Sequence, residues 1–396
     1  MWSADTLFKV GVVAVAYCLT GAVGLLLAIP PGYATAVWPP SGVALAAILW
    51  WGPRVAPGVW LGAFLVNVWA AVNGADGGHL GTGVAVAASI GLGSTLQAVL
   101  GAFLLRRWVG ADRLFERGSA ILAFASVEAA SCALAPTWGV TSLVLAGVVD
   151  WAAYFDSWRT WWLGDLMGVL LVTPVALTWR QLLQLDRRAL RVAEAVGSLV
   201  LLTAVAAVVF VGPSPLARGD YPLAFVPLPC LVWIASRFAP GGVAVASLVL
   251  SGIAVGGTSA GSGPFVRDLT GESLFLLQAF TGLATMTGLT LAAAVRGRQR
   301  AEAEVRQLNA DLEERVRERT AELAATVGRL QQAVAEIKTL KGLVPICGWC
   351  KKIRDDSGFW QRLESYLQAH TEAEFTHGMC PACMNEQLKD VTPFVG

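Results

Sequence analysis

Apolar residues follow two different patterns along the chain. Over residues 1–295 they form long uninterrupted runs. From Arg296 they recur at seven-residue intervals on an otherwise charged background. Runs of about 17–24 apolar residues match a hydrocarbon core of ~30 Å. Ten stretches qualify as candidate spans: Leu7–Ile29, Ala34–Trp51, Val55–Val72, Thr82–Leu105, Ser119–Trp138, Trp161–Trp179, Val192–Val211, Pro222–Phe238, Gly241–Gly257 and Ser273–Val295. The apolar stretch Val140–Val149 is left over, either extending the fifth helix past Pro136 or lying at the interface, so eight or nine spans also fit. Val10–Ile29 is long for the apolar region of a signal peptide and has only Lys9 as an early cation, so it reads as the first span.

Charge sharpens the boundary. Residues 1–295 hold 14 Lys/Arg and 13 Asp/Glu, whereas the last 101 residues hold 15 of each. Fourteen of the 16 Trp precede Arg296, and many stand at segment ends, where amphipathic rings favour the headgroup level. A net charge of +1 argues against nucleic-acid binding by bulk electrostatics. With the N-terminus inside, cytoplasmic connections hold Arg54, Arg106, Arg107, Arg113, Arg117, Arg180, Arg187, Arg188, Arg191, Arg237, Arg296, Arg298 and Arg300. The other side holds only Arg159, Arg218 and Arg267. The positive-inside rule then puts both termini in the cytoplasm of a cell whose inner (plasma) membrane the chain crosses repeatedly.

Some residues are costly at bilayer depth. Glu128 lies in the fifth stretch, Asp165 follows Trp161 and Trp162 in the sixth, and Asn67 and Gln97 lie inside spans. An ionisable group there is a candidate functional site unless a neighbouring helix satisfies it or it sits at the interface. Trp38-Pro39-Pro40-Ser41-Gly42 opens the second stretch. Two prolines suit the first turn of a helix, and they equally suit a rigid Trp-lined entrance.

Trp38-Pro39-Pro40-Ser41-Gly42-Val-Ala-Leu-Ala46, Trp51-Gly52, Gly58-Val-Trp-Leu-Gly-Ala-Phe-Leu-Val-Asn67, Trp161-Trp162-Leu-Gly-Asp165-Leu-Met-Gly168 with Thr173-Pro174, and Gly256-Gly-Thr258 with Gly261–Phe265 occur in that order. Together they resemble the first type of bacterial membrane-associated sensor domain, the MASE family, over residues 5–295. The resemblance implies an integral sensory input, of the kind fused to histidine kinases or to cyclic-dinucleotide enzymes.

Residues 296–341 turn to Glu, Arg, Ala, Leu and Gln with no Pro. Val316, Leu323, Leu330 and Ile337 repeat every seven residues, as do Thr320, Val327 and Val334; Val305, Leu308 and Leu312 fit one residue out of phase. Such repeats with charged flanks predict a coiled coil, hence a homodimer, with the slip altering its supercoil locally. A single solvated helix is the alternative. The stretch Leu308–Leu323 is similar to the signalling helices that join sensors to kinases.

Residues 342–390 carry Cys347-Gly-Trp-Cys350 and Cys380-Pro-Ala-Cys383, two CxxC pairs separated by 29 residues. Two such loops complete a tetrahedron of thiolates around Zn²⁺, and a reducing cytoplasm disfavours disulfides. A structural zinc in a zinc-ribbon-like module is therefore expected on Cys347, Cys350, Cys380 and Cys383, with His377 as an alternative ligand. Redox-active thiols and simple burial remain open. Phe359, Trp360, Leu363 and Tyr366–Leu367 are expected to form a helix face against the metal loops. The segment is similar to small cysteine-pair modules at the ends of bacterial sensor and receiver proteins. Cys18, Cys132 and Cys230 stand alone in apolar runs and read as small hydrophobes.

The expected fold is an all-α polytopic membrane protein of about eight to ten spans, followed by a cytoplasmic coiled-coil helix and the cysteine module. The expected function is sensory: a signal perceived in the bilayer passes through a dimeric coil to a cytoplasmic kinase or regulator. Candidate signal-binding or membrane-polar residues are Trp38, Pro39, Pro40, Asn67, Glu128, Trp161, Trp162 and Asp165. The alternative is a transporter or channel-like protein with a regulatory tail. An enzyme is not expected. The three histidines are His79, in the predicted external loop, and His370 and His377, in the cysteine module, and no Gly-rich phosphate loop lies in the tail. The residues after Lys341 are too few for a kinase or cyclic-dinucleotide synthase domain.

Overall fold

A computed structural model of the chain describes residues 3–26, 35–73, 80–110, 114–183, 189–211, 223–336 and 343–389. It is an all-α membrane protein with a small hairpin in the tail. The helices are α1 (Ala4–Leu26), α2 (Pro39–Trp51), α3 (Ala56–Asn73), α4 (Leu80–Trp108), α5 (Gly118–Ser131), α6 (Leu134–Leu145), α7 (Tyr154–Leu183), α8 (Ala189–Phe210), α9 (Leu228–Arg237), α10 (Pro240–Ser259), α11 (Thr270–Glu336), α12 (Leu363–His370) and α13 (Pro381–Lys389). The chain divides into two compact units, Met1–Ala303 and Glu304–Gly396.

Eight helical stretches are long and apolar enough to cross a bilayer by themselves: Ala4–Leu26, Pro53–Asn73, Gly81–Trp108, Gly118–Leu145, Trp151–Arg180, Leu190–Phe210, Pro240–Ser259 and the start of Gly271–Glu336. Two of the ten expected spans are short. Helix α2 has 13 residues and α9 has 10. At 1.5 Å per residue α2 covers only ~20 Å. The fifth span is α5 and α6 in series, broken at Cys132–Ala133, and the leftover stretch from Val140 extends it as far as Leu145. Pro136 sits inside the first turn of α6, where a missing N–H costs little.

Close contacts fix the direction of every pass in the first unit. Gly58 at the start of α3 packs on the Val10 carbonyl near the start of α1. Arg106, near the end of α4, donates to Ile48 O and Leu49 O at the end of α2, both at 2.8 Å. Helix α2 runs alongside α7, because Trp38 N bonds Gly164 O at 2.9 Å and Thr173 Oγ1 bonds Gly42 O at 3.1 Å. Gly241 at the start of α10 lies on Thr178 near the end of α7. Arg237 at the end of α9 pairs with Glu194 near the start of α8 at 2.6 Å. Arg300 of α11 pairs with Glu116, just before α5, at 3.2 Å.

The passes therefore alternate, and short α2 and α9 each count as one. One end of the bundle collects the ends of α2, α4, α7, α9 and the bundle part of α11 with the starts of α1, α3, α5, α8 and α10. Arg54, Arg106, Arg117, Arg180, Arg191, Arg237 and Arg300 all belong to that end. Among the described residues the opposite end carries Arg159 and Arg267; Arg113, Arg187, Arg188 and Arg218 lie outside them.

Helix α2 can sit flush against α7 because both lack side chains at the crossing. Gly168 lies directly beneath the Trp38 carbonyl, and Gly42 beneath the Gly168 carbonyl. A β-carbon at either position would collide with backbone, which cannot rotate away. The second unit is different in kind. Its helix, α11 from Glu304 to Glu336, exposes every large apolar residue it carries. In the module that follows, β1 (Ile353–Arg354) pairs antiparallel with β2 (Trp360–Gln361). Phe359 and Trp360 thus lie on or beside a strand rather than the expected helix face, and both are exposed. Ile353 and Tyr366 are the buried residues there among those described.

Gly168→Ala is expected to destabilise the membrane unit by about 1–3 kcal/mol through overpacking against the Trp38 carbonyl. Gly252→Ala, at a helical glycine with open space around it, should be neutral or slightly stabilising. Thermal unfolding in one detergent compares them, and equal effects would refute the close α2–α7 crossing.

Candidate functional site

A group of the buried polar residues converges where α2 begins. Trp38 precedes the helix with extended backbone, and Pro39 and Pro40 fill its first two positions, where absent N–H groups leave nothing unpaired. Ser41 follows on the inward face and its Oγ donates a short hydrogen bond to Asp165 Oδ1. Gln97 of α4 approaches the other oxygen, Nε2 to Oδ2 at 3.4 Å, while its Oε1 accepts from Ala135 N of α6 at 3.1 Å. One carboxylate thus ties α2, α4 and α7, and Gln97 adds α6. Asp165 is 8% exposed, and among the described residues no ion pair reaches it. Dipoles hold it in place of a counter-charge.

The backbone ahead of α2 is part of the same site. Residues Thr35–Trp38 are non-helical yet Thr35 and Ala36 are buried. Trp38 N is taken by Gly164 O of α7, and the Ala36 carbonyl accepts from Gln278 Nε2 of α11 at 3.1 Å. Tyr17 of α1, fully buried, lies within reach of Trp38 and Ser94.

The remaining candidates stand apart. Asn67 donates to Ala63 O of its own helix at 2.9 Å and does not join the cluster. Glu128 is 1% exposed and packs its carboxyl against bare Gly101 of α4; its Oε1 has no hydrogen-bond partner among the described residues. Trp162 Nε1 donates to Ala129 O of α5 at 2.8 Å and stacks on Trp158, which stacks on Phe155. The Trp161 ring fills the space left by Gly139 of α6. These tryptophans fasten α7 to the broken fifth span.

In the tail, the first CxxC lies in a turn closed by Cys347 N to Lys352 O at 2.8 Å and Lys351 N to Cys347 O at 3.1 Å, with Lys351 at φ 58°. The second CxxC opens α13, with Pro381 at the first helical residue. Backbone N–H groups of Cys350 and Trp349 hold the Cys347 thiol below its usual range, and that of Cys383 does the same for Cys380. Both turns therefore favour thiolates, the form that binds metals. The pairs stay separate: no group of three or more His, Cys, Asp or Glu side chains gathers as a metal site among the described residues. His377 is exposed, and His370 instead stacks on Tyr366.

Sequence reasoning missed Ser41 as a partner of Asp165, and it missed Gln278 altogether. Ser41 was visible within the proline motif. Gln278 gave no signal beyond being a polar residue in an apolar run.

The chain belongs to the MASE1 family: the family model described as MASE1 matches residues 9–299, the span of the membrane unit. No curated protein and no solved structure matches it. MASE1 is a multi-span membrane sensor domain, so residues 9–299 form a membrane-associated sensory input.

Ser41→Ala is expected to cost about 1–3 kcal/mol, because buried Asp165 loses its closest donor. Asn67→Ala, which removes only a bond within one helix, should stay within about 0.5 kcal/mol. Glu128→Gln breaks no hydrogen bond of Oε1 and should also be tolerated. Thermal unfolding of the three variants checks this order, and a Ser41→Ala protein as stable as Asn67→Ala would contradict the cluster.

Proposed function

We propose that the chain is a receptor of a bacterial inner membrane that perceives its signal at the Ser41–Asp165–Gln97 cluster and relays it through a dimeric coil to a cytoplasmic kinase or regulator. The observation that carries this reading is α11. One unbroken helix, Thr270–Glu336, starts within the sensor domain and ends bearing an apolar stripe that a single chain leaves bare. Val305, Leu308, Leu312, Val316, Leu323, Val327, Leu330 and Val334 are all exposed. In water such a stripe is stabilised by burial against a second copy, at roughly 25 cal/mol per Å² of apolar surface. Ile337, the next residue of the repeat, lies outside the described residues.

The arginine-rich end of the bundle is the cytoplasmic one by the positive-inside rule, which puts both termini and the tail in the cytoplasm. There the two CxxC turns each offer a thiolate pair, and a zinc ion would draw the two separate pairs together into a tetrahedral Cys347–Cys350–Cys380–Cys383 site. With Ile353 and Tyr366 the only buried residues among those described in it, this module lacks the core to fold unaided, and the metal supplies the missing free energy. Four protein ligands leave no open position, so the ion is structural and the module's output is binding rather than catalysis.

A transport reading draws on Glu128, whose unpartnered carboxyl is the kind of group that lines ion paths. Ion or solute flux into vesicles that depends on Glu128 would favour it over the receptor.

The full chain purified in lipid nanodiscs should carry about one zinc per chain and have the mass of a dimer. Cys350→Ser should release the zinc and open the tail to proteolysis, while the thermal transition of the membrane unit stays put. A metal-free monomer with a protease-resistant tail would sink both the zinc and the coil.

A further inference from the structure

The output helix touches the candidate site directly, through the side chain of Gln278. Gln278 sits on the part of α11 within the membrane unit, 2% exposed, and donates Nε2 to the Ala36 carbonyl. It is the amide donor that α11 brings to the Thr35–Trp38 segment. Two residues further along that segment, Trp38 N is bound by Gly164 O, immediately before Asp165. One turn beyond Gln278, bare Gly282 rests against Met167, two residues after Asp165, and Thr281 Oγ1 lies 3.8 Å from the Met167 sulfur. The second contact is soft, between a flexible thioether and a helix surface, and accommodates small shifts. The Gln278 bond does not. A backbone carbonyl buried at this depth has no water to turn to, so breaking the bond leaves it unpaired.

We propose that Gln278 is a positioning residue that couples the Ser41–Asp165 cluster to α11 through the Thr35–Trp38 segment. This rests on the reading of that cluster as the sensory site and names how its state leaves it. When Asp165 holds Ser41 and Trp38 is pinned to Gly164, the Ala36 carbonyl is presented to Gln278 and α11 is held. When a competing ligand or an altered Asp165 releases α2, the carbonyl moves and α11 loses its one fixed polar anchor on this segment. Coupling of this kind has a distinctive signature: the effect of one site on the other depends on the connecting side chain.

The test uses the full chain in lipid nanodiscs and hydrogen–deuterium exchange of peptides covering 270–295. Four proteins are compared: wild type, Asp165→Asn, Gln278→Met and the double variant. Asp165→Asn is expected to speed exchange in these peptides at least about fivefold, the lower end of ordinary allosteric coupling. In the Gln278→Met background the same change should move exchange less than about twofold. A merely structural glutamine would give faster exchange in Gln278→Met but an undiminished further response to Asp165→Asn, and that result overturns the inference while the sensory reading stands. If α11 ignores Asp165→Asn in both backgrounds, the inference and the sensory reading fall together. Should Gln278→Met not insert, Gln278→Asn replaces it; it keeps the amide but withdraws it by one methylene, and the same loss of coupling is expected.

Discussion

Inside a bilayer an irregular stretch of backbone survives only if protein takes every hydrogen bond that water would otherwise have taken, at several kcal/mol for each one missed. Two backbone groups of the segment Thr35–Trp38 are met in this way by neighbouring helices. Its Trp38 N–H goes to α7 and its Ala36 carbonyl to α11. Once those bonds are made, the start of α2 is fixed on α7 to within the width of a peptide group. The glycines at 42, 164 and 168 follow as a requirement, since α7 must come close enough to offer a carbonyl where a side chain would have stood.

The same constraint accounts for the shortness of α2. Its ends are closed without added length: the two prolines have no N–H to satisfy and Ser41 N bonds Trp38 O at the start, while at the finish Gly52 N bonds Ile48 O and Arg106 donates to Ile48 O and to Leu49 O, a carbonyl of the last turn. A helix closed in this way has no need to reach water. The distribution of burial agrees. Over the apolar windows of the long helices, α10 is 61% buried and α7 and α11 are each 56% buried, while α8 is only 11% buried. Two of the three most buried long helices thus meet the polar cluster, and the lipid-facing ones, α1 and α8, carry mainly apolar surface toward the bilayer.

What the chain discloses in one dimension, and what it withholds, divides along physical lines. Length and apolarity are local properties, so the membrane unit, its boundary near 300 and the alternation of its passes could be read directly. Trp38-Pro-Pro and Asp165 were also legible, because prolines and carboxylates are rare in lipid and need a reason. Asn67 satisfied the same criterion, and the structure has it bonded to the carbonyl four residues back in its own helix rather than to the cluster. Gln278 was not legible because its meaning lies in a partner 242 residues away, and the partner is a carbonyl, which every residue has. The brevity of α2 and α9 was hidden for a related reason: hydropathy reports that a segment tolerates lipid, not where its hydrogen bonds end. The hairpin that carries Trp360 was missed because its turn depends on Asp355 accepting from Ser357 N and Phe359 N, a local device easily taken for a charged loop.

A buried polar cluster is a poor way to gain stability, because apolar packing of equal volume usually serves as well or better. Its presence at the junction of α2, α4, α6 and α7 is better understood through its asymmetry. One oxygen of Asp165 is tightly bound by Ser41, whereas the other has a single long bond of 3.4 Å from Gln97. Ser41 joins α2 to one oxygen of Asp165, and the other oxygen keeps acceptor capacity beside Gln97. Binding there would draw charge away from Ser41, and the two oxygens could not both be optimised at once. A carboxylate that can exchange one donor for another has discrete alternatives, and discrete alternatives are what a two-state element requires. The two oxygens thus differ in their donors, and bare glycines bring the backbones of α2 and α7 into contact beside them.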